Sequence, residues 1–207
     1  MLDFERIRRA KVQNLPYPFF IVAGAFLGGS GAQAAEAFPA IDRPGVIAAH
    51  ETSHGEPFDE FLAEIEGDRF RSLITEKLEV DLAEAPTVVN VRGQARWTDG
   101  NIHTDSPTKA VTVLFYFNDE GEAPGTGLRI LKGPSSLDDY VAEVPPTLGH
   151  MLAFKVTDNC WHGHPPFVGQ RRSLQLNYLS GVVRSGKHQR ARRFASHLSR
   201  RVGRLFG

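Results

Sequence analysis

The sequence predicts an α+β fold with a mainly β core, in which N-terminal helices pack on one sheet of a β-sandwich or jelly roll. Three observations predict it. Apolar residues recur at helical spacing from residue 56 to 80. From about residue 86 the apolar period changes to two, which is typical of strands. Turn-forming residues then separate six short β-rich segments, a pattern that favours a sandwich or jelly roll.

The composition excludes several classes of protein. The chain has 207 residues, 41% of them hydrophobic, with 24 basic and 24 acidic side chains, so its formal net charge is zero. This fits a single globular domain over residues 1–207. One cysteine cannot form an internal disulfide, which favours a reducing, cytoplasmic location. No apolar run reaches the roughly 18 to 20 residues that span a bilayer.

The first 40 residues admit two interpretations. Basic residues precede an apolar stretch over 17–27, and Ala32-Gln33-Ala34 resembles a signal-peptidase site. Two acidic residues among the basic ones, and two prolines at the start of the apolar stretch, argue against export. They favour a strand over Phe19–Val22 and then an amphipathic helix through Ala32, Ala35 and Phe38. The whole helical layer is predicted over about 1–85.

Two further helices are predicted between residues 56 and 80. Gly67 ends the first and Asp68 caps the second. Their apolar faces consist of Phe58, Phe61, Leu62 and Ile65 in the first helix and Phe70, Leu73, Ile74 and Leu78 in the second.

The predicted jelly-roll core covers about 86–181. Its six segments are rich in β-branched and aromatic residues and are bounded by turn-formers such as Thr98-Asp99-Gly100 and Gly133-Pro134. The predicted strands are 87–91, 111–117, 127–131, 148–154, 160–164 and 172–179.

The end of the chain is strongly basic. No acidic residue follows Asp158, whereas ten Lys or Arg residues do. Phe194, Leu198, Val202 and Leu205 form one apolar stripe of a predicted helix over about 186–205. Either this stripe packs on the domain and the arginines are solvated, or the helix contacts an anionic membrane surface or polyanion.

The clearest chemical signal is the His103-Thr104-Asp105 motif before the strand at 111–117. In extended backbone, residues two apart project to the same side, so His103 and Asp105 can direct an imidazole nitrogen and a carboxylate oxygen at one point. His162 lies 59 residues downstream on a predicted strand. Two histidines and one carboxylate form the facial triad of non-haem Fe(II) oxygenases, although zinc accepts the same ligands.

An arginine near the triad favours iron. Arg171 follows His162 by nine residues, and Ser173 lies two residues further on the same strand face. A guanidinium and a hydroxyl on one face suit a carboxylate, and a cosubstrate that chelates iron through a 2-oxo acid needs its far carboxylate held.

From about Gly100 to Leu179 the sequence resembles the 2-oxoglutarate and Fe(II)-dependent dioxygenases, specifically the prolyl-hydroxylase-like branch. The motifs of this family occur here in the same order and with the same spacing, although Gly125-Thr126-Gly127 departs from the family pattern. The matching blocks are His103-x-Asp105, 111–118, 125–130, 148–154, and His162 with Arg171.

The resemblance implies a double-stranded β-helix in which His103, Asp105 and His162 ligate Fe(II). It also implies that Arg171 and Tyr116 bind the distal carboxylate of 2-oxoglutarate. The implied reaction couples decarboxylation of 2-oxoglutarate by O2, giving succinate and CO2, to hydroxylation of an unactivated C–H bond. The alternatives are a non-catalytic cupin-like metal-binding module and a nucleic-acid demethylase. The neutral net charge makes nucleic acid the less favoured partner.

Other residues near the motifs can be explained by structural roles as well as functional ones. His164 shares the strand face of His162 and is the alternative metal ligand, but seven residues to Arg171 do not fit the family, so it is interpreted as a residue that supports the ligands or lines the substrate pocket. Cys160 is expected to be a small buried residue, and Trp161 is expected to pack between sheet and helix. Arg92 and Arg96 either bind a small or conjugated anionic substrate or are solvated on an edge strand. Arg129 and Lys132 either contact the substrate or are plain surface charges, and the sequence favours neither interpretation.

Overall fold

In the computed structural model, which describes residues 1–180, helices occupy much of the first 80 residues and strands most of the remainder. The predicted basic helix at 186–205 lies outside these residues. The helices are α1 (Phe4–Arg9), α2 (Ser30–Glu36), α3 (Glu56–Glu66) and α4 (Asp68–Leu78), with a 3-10 turn at Ala49–Glu51. The strands are β1 (Phe19–Val22), β2 (Ile47–Ala48), β3 (Thr87–Ala95), β4 (Lys109–Tyr116), β5 (Leu128–Leu131), β6 (Tyr140–Val144), β7 (Met151–Lys155), β8 (His162–Gly163) and β9 (Gly169–Leu179).

The strands form two antiparallel sheets. The larger sheet has the order β1-β7-β4-β9-β3-β2, and the smaller has the order β6-β5-β8. An isolated bridge adds the segment before β4 to the smaller sheet, because His103 and His162 exchange both backbone hydrogen bonds, at 3.0 and 2.9 Å. The His103-Thr104-Asp105 motif and the strand that carries His162 are therefore fixed to each other by backbone hydrogen bonds.

The helices cover one face of the larger sheet. Phe115 and Phe117 of the β4 region point to this side and contact Phe61 of α3, with ring centroids 5.0 and 5.5 Å apart. Phe58 is fully buried beside them. Aromatic contacts of this kind and the apolar area they bury make this layer the main hydrophobic core. The predicted packing of N-terminal helices on one sheet is confirmed.

The other face of the larger sheet meets the smaller sheet. A second apolar cluster lies between them, and it includes Phe19, Leu152 and Phe154 from the larger sheet and Leu128 and Ile130 from the smaller one. Because strand residues alternate between faces, the inward residues of β9 are Arg171, Ser173, Gln175 and Asn177. The polar residues of the site thus line the space between the sheets.

The predicted elements agree with the structure in type and differ at several ends. The strand at Phe19–Val22 is confirmed and pairs with β7, and the helices of residues 56–80 form as α3 and α4. The strand predicted at 148–154 begins only at Met151, because Gly149 has a positive φ of 84° in the turn before it. The one predicted at 160–164 contracts to His162–Gly163, since the Cys160 N–H bonds to Thr157 in a turn.

Three elements were not predicted, namely α1, β2 and β6. Each is short, and two of them are edge strands whose residues are partly exposed, so they carry little periodicity. α1 instead buries Phe4 and Ile7 against the helical layer. None of the helices in residues 1–180 is long and apolar enough to cross a bilayer.

Candidate metal centre and cosubstrate pocket

Three side chains from two distant parts of the sequence converge between the two sheets. His103, Asp105 and His162 each offer one ligand atom, and these atoms lie within 4.8 Å of one another. In residues 1–180 this is the one group of three or more such side chains with that spacing. The imidazole centroids of His103 and His162 are 4.3 Å apart. A single divalent ion can therefore contact all three residues.

Backbone carbonyls orient both imidazoles. Nδ1 of His103 lies 2.7 Å from the carbonyl oxygen of Asn101, and Nδ1 of His162 lies 2.8 Å from that of Cys160. A carbonyl only accepts, so each Nδ1 carries the proton and donates it. Nε2 of each ring is then left with a free lone pair, which is the form of histidine that binds a metal ion.

Burial keeps His162 neutral. Its side chain is 5% exposed and its ring lies 5.1 Å from that of Phe154. Burial, and then the neighbouring His103, lower the pKa of His162 to about 4. The imidazole is therefore unprotonated at neutral pH, as ligation requires.

The carboxylate of Asp105 is held from both sides. Lys109 Nζ lies 2.9 Å from Oδ1, and the Thr112 hydroxyl donates a short hydrogen bond to Oδ2. Burial alone would raise the pKa of Asp105, but the Lys109 charge and the hydrogen bonds from Thr112 and Lys109 outweigh it and lower that pKa. Asp105 is thus charged and fixed in place.

Among residues 1–180, the guanidinium of Arg171 has no counterion. It is 4% exposed, its Nη2 donates to the Thr126 carbonyl at 3.1 Å, and its Nε is buried without a hydrogen-bond partner. No carboxylate of residues 1–180 forms an ion pair with it. Its central carbon lies 5.3 Å from the ring centroid of Tyr116, and Tyr116 pairs with Ser173 across β4 and β9. A buried cation without a counterion is energetically costly, so an anionic ligand that pairs with it would bind favourably.

A family model supports this arrangement. Residues 92–179 match the model of the 2OG-Fe(II) oxygenase superfamily, and this stretch contains the triad, Tyr116 and Arg171. Residues 92–179 are therefore similar to the 2OG-Fe(II) oxygenases, a superfamily defined by its use of Fe(II) and 2-oxoglutarate. No curated protein sequence matches the chain.

Solved structures resemble this chain in fold at low sequence identity. A prolyl-4-hydroxylase from Pseudomonas putida is 18% identical, with a TM-score of 0.57, over 86% of this chain and 91% of that one. A prolyl 4-hydroxylase from Phytophthora capsici is 15% identical, with a TM-score of 0.57, over 94% and 74%. HygX from Streptomyces hygroscopicus, solved with nickel and 2-oxoglutarate bound, is 12% identical, with a TM-score of 0.54, over 79% and 83%.

His164 lies outside the triad, close enough to Arg171 for the two side chains to interact electrostatically. It is 7% exposed, and its Nδ1 lies 2.8 Å from the carbonyl oxygen of Pro165. Burial, and then the Arg171 charge, lower the pKa of His164 to about 4. Gly100 has a positive φ of 88°, and a Cβ there would lie 2.5 Å from the His164 ring, so only glycine allows this contact.

Cys160 and Trp161 lie on the segment that carries His162. Cys160 is fully buried in the cluster between the sheets, as predicted. Trp161 is half-buried, and its carbonyl accepts hydrogen bonds from the Tyr17 hydroxyl at 3.0 Å and from the Leu131 N–H at 2.9 Å. These hydrogen bonds fix the position of the backbone that precedes His162. The packing of the Trp161 indole between sheet and helix stays a prediction.

Two arginines share one carboxylate beside the pocket. Arg92 lies 2.9 Å from Oδ2 of Asp99, and Arg96 lies 3.3 Å from Oδ1. Arg92 belongs to β3, which pairs with both β9 and β2, so the expectation of an edge strand is wrong. The side chain of Arg96 is 63% exposed, which leaves it available to a ligand.

Arg129 and Lys132 differ in how far their side chains are exposed. One interpretation of Arg129 was a plain surface charge, but its side chain is mostly buried and forms ion pairs with Asp138 and Glu143 at 2.8 and 2.9 Å. This interpretation was therefore wrong. Lys132 lies at the surface with Asp139, in agreement with its interpretation as a surface charge.

The sequence reasoning missed three supporting residues, Lys109, Thr112 and Asn118. The first two contact Asp105. Asn118 is fully buried and joins the end of β4 to the backbone of Arg172 and Pro146, which fixes the strand position next to Arg171. Polarity at inward positions of β4 was the available signal, because a buried threonine or asparagine needs a partner.

Proposed function

We propose that the protein is a hydroxylase in which His103, Asp105 and His162 ligate Fe(II) and Arg171 binds the distal carboxylate of 2-oxoglutarate. Ser173 and Tyr116 are proposed to assist Arg171. The scaffold is proposed to be one domain over residues 1–207, built as a double-stranded β-helix. The two facing antiparallel sheets support this scaffold.

One observation carries the proposal: the buried guanidinium of Arg171 has no carboxylate partner in residues 1–180 and shares the inner space with the triad. A charged group in that environment is costly unless an anion pairs with it. 2-Oxoglutarate is a dianion, so one carboxylate can satisfy Arg171 while the 2-oxo acid end reaches a metal ion. The residues present therefore fit both the metal and the cosubstrate.

The protein's own contribution is positioning rather than acid–base chemistry. When bound, Fe(II) with 2-oxoglutarate and O2 supplies the oxidising chemistry that yields succinate, CO2 and a hydroxylated product. The Asn101 and Cys160 carbonyls hold the imidazoles in the ligating tautomer. Phe154 is fully buried, and its ring, 5.1 Å from that of His162, shields this imidazole from water.

The substrate is proposed to be a small or conjugated molecule that carries an anionic group. Arg92 and Arg96 support this, because two cations share the single carboxylate of Asp99 and leave a net positive charge beside the pocket. Contact of the basic segment at 186–205 with a membrane or polyanion, and a cytoplasmic location, stay predictions from the sequence.

Succinate formation tests the proposal. Purified protein with Fe(II), ascorbate and 2-oxoglutarate should form succinate slowly by uncoupled turnover, and a library of anionic compounds should contain members that accelerate it. His103→Ala should form none. Protein that binds metal but forms no succinate under any of these conditions would be the non-catalytic cupin-like module instead.

A further inference from the structure

Lys109 is placed at the metal centre by an irregularity of β4. From Tyr116 back to Val111 the strand pairs with β9 in regular register, and an extra residue, Ala110, then shifts the register so that Lys109 pairs with Leu179. Without this bulge, alternation would direct Lys109 to the helix side of the sheet. Bulges re-aim side chains in this way next to active sites.

The redirected ammonium group contacts a proposed metal ligand. Lys109 Nζ lies 2.9 Å from Oδ1 of Asp105, and the two side chains are 20% and 8% exposed. The Thr112 hydroxyl already donates to Oδ2. A neutral donor therefore already holds one oxygen of Asp105, and Lys109 adds a full positive charge at the other. The charge of Lys109 is an additional feature, and water screens it only partly.

We propose that Lys109 balances two affinities: its charge weakens binding of the divalent ion and strengthens binding of the dianionic cosubstrate. This inference rests on the proposed function. A divalent ion bound to Asp105 lies close to a second positive charge, which repels it. 2-Oxoglutarate that shares the same ion is attracted by that charge. Coulomb energies add pairwise, so the two effects are independent and opposite in sign.

Lys109→Met tests the inference, because it keeps the length of the side chain and removes the charge. Mn(II) affinity is measured from the electron paramagnetic resonance signal of the free ion, and 2-oxoglutarate affinity by titration calorimetry on Mn(II)-saturated protein. The expected result is a Kd for Mn(II) lower by about tenfold or more and a Kd for 2-oxoglutarate higher by about three- to tenfold.

Two control variants separate charge from structure. Lys109→Arg keeps the charge and should retain both affinities to within about threefold. Lys132→Met removes a surface lysine that is paired with Asp139, and should change neither affinity. Thermal unfolding of each variant verifies that it is folded.

Each other outcome overturns a stated part of the argument. If Lys109→Met weakens both ligands, the lysine orients Asp105 and the proposed balance is wrong. If it changes neither, the charge has no effect on the site and the inference fails. If the wild-type protein binds neither Mn(II) nor 2-oxoglutarate, the proposed function fails as well, independently of the Lys109 variants.

Discussion

Replacing Arg171 by methionine should weaken 2-oxoglutarate binding without destabilising the protein. Most buried side chains stabilise the fold, so their replacement lowers the melting temperature. Arg171 differs because its buried Nε has no partner and its charge has no counterion in residues 1–180. Such a group stabilises the complex with an anion rather than the free protein.

The expected magnitudes follow from these contacts. A buried donor without a partner lowers the free energy of unfolding by about 1–3 kcal/mol, whereas the hydrogen bond from Arg171 Nη2 to the Thr126 carbonyl raises it by about 1 kcal/mol. Methionine should therefore leave the melting temperature unchanged or raise it by up to about 8 °C. Loss of a buried bidentate ion pair costs about 2–4 kcal/mol, which raises the Kd for 2-oxoglutarate by roughly 30- to 1,000-fold.

Two measurements on the same samples give the answer. Titration calorimetry on Mn(II)-loaded protein gives the Kd for 2-oxoglutarate, and thermal unfolding with and without 2-oxoglutarate gives the stabilisation by the ligand. The rise in melting temperature on adding 2-oxoglutarate should disappear in Arg171→Met. Arg96→Met removes an equal charge from an exposed side chain and should retain the wild-type Kd.

The reasoning would be refuted if Arg171→Met bound 2-oxoglutarate as tightly as the wild-type protein, since another group would then hold the carboxylate. It would also be refuted if the variant lost several degrees of melting temperature, because Arg171 would then stabilise the free fold.

Three further predictions concern the triad, the pH response and the core. Asp105→Ala should abolish metal-dependent succinate formation, whereas Asp138→Ala, which removes a carboxylate 90% exposed, should retain it; succinate from the Asp105 variant would exclude the triad. Burial alone would raise the pKa of Asp99, but the Arg96 backbone N–H and the Arg92 charge outweigh it and lower that pKa. The ionised Asp99 carboxyl therefore stabilises the fold above its unfolded pKa of about 3.9, and this contribution is lost as the pH falls through its pKa in the folded protein. The difference in unfolding free energy between the wild-type protein and Asp99→Asn should therefore shrink from about pH 5 to pH 3. Phe58→Ala should cost about 3–5 kcal/mol of unfolding free energy, measured by urea denaturation, because Phe58 is fully buried against three aromatic rings.

The sequence was sufficient wherever the chemistry fixes the residue type or the period fixes the backbone. α3, α4 and β1 followed from apolar spacing, because a helix or a strand must bury one face whatever its partner. The His103-x-Asp105 motif followed from strand alternation, which is local. Arg171 was recognised from its interval to His162. In each case the interacting residues are close in sequence or belong to one continuous pattern.

The tertiary structure alone decided which distant groups meet and which are left without partners. The 4.8 Å spacing of the triad depends on the backbone bridge between His103 and His162, which joins segments far apart in the chain. The position of Lys109 depends on a one-residue bulge, and the missing counterion of Arg171 depends on every acidic residue packed elsewhere. These features arise from long-range register and desolvation, and both depend on the packed chain as a whole rather than on local spacing.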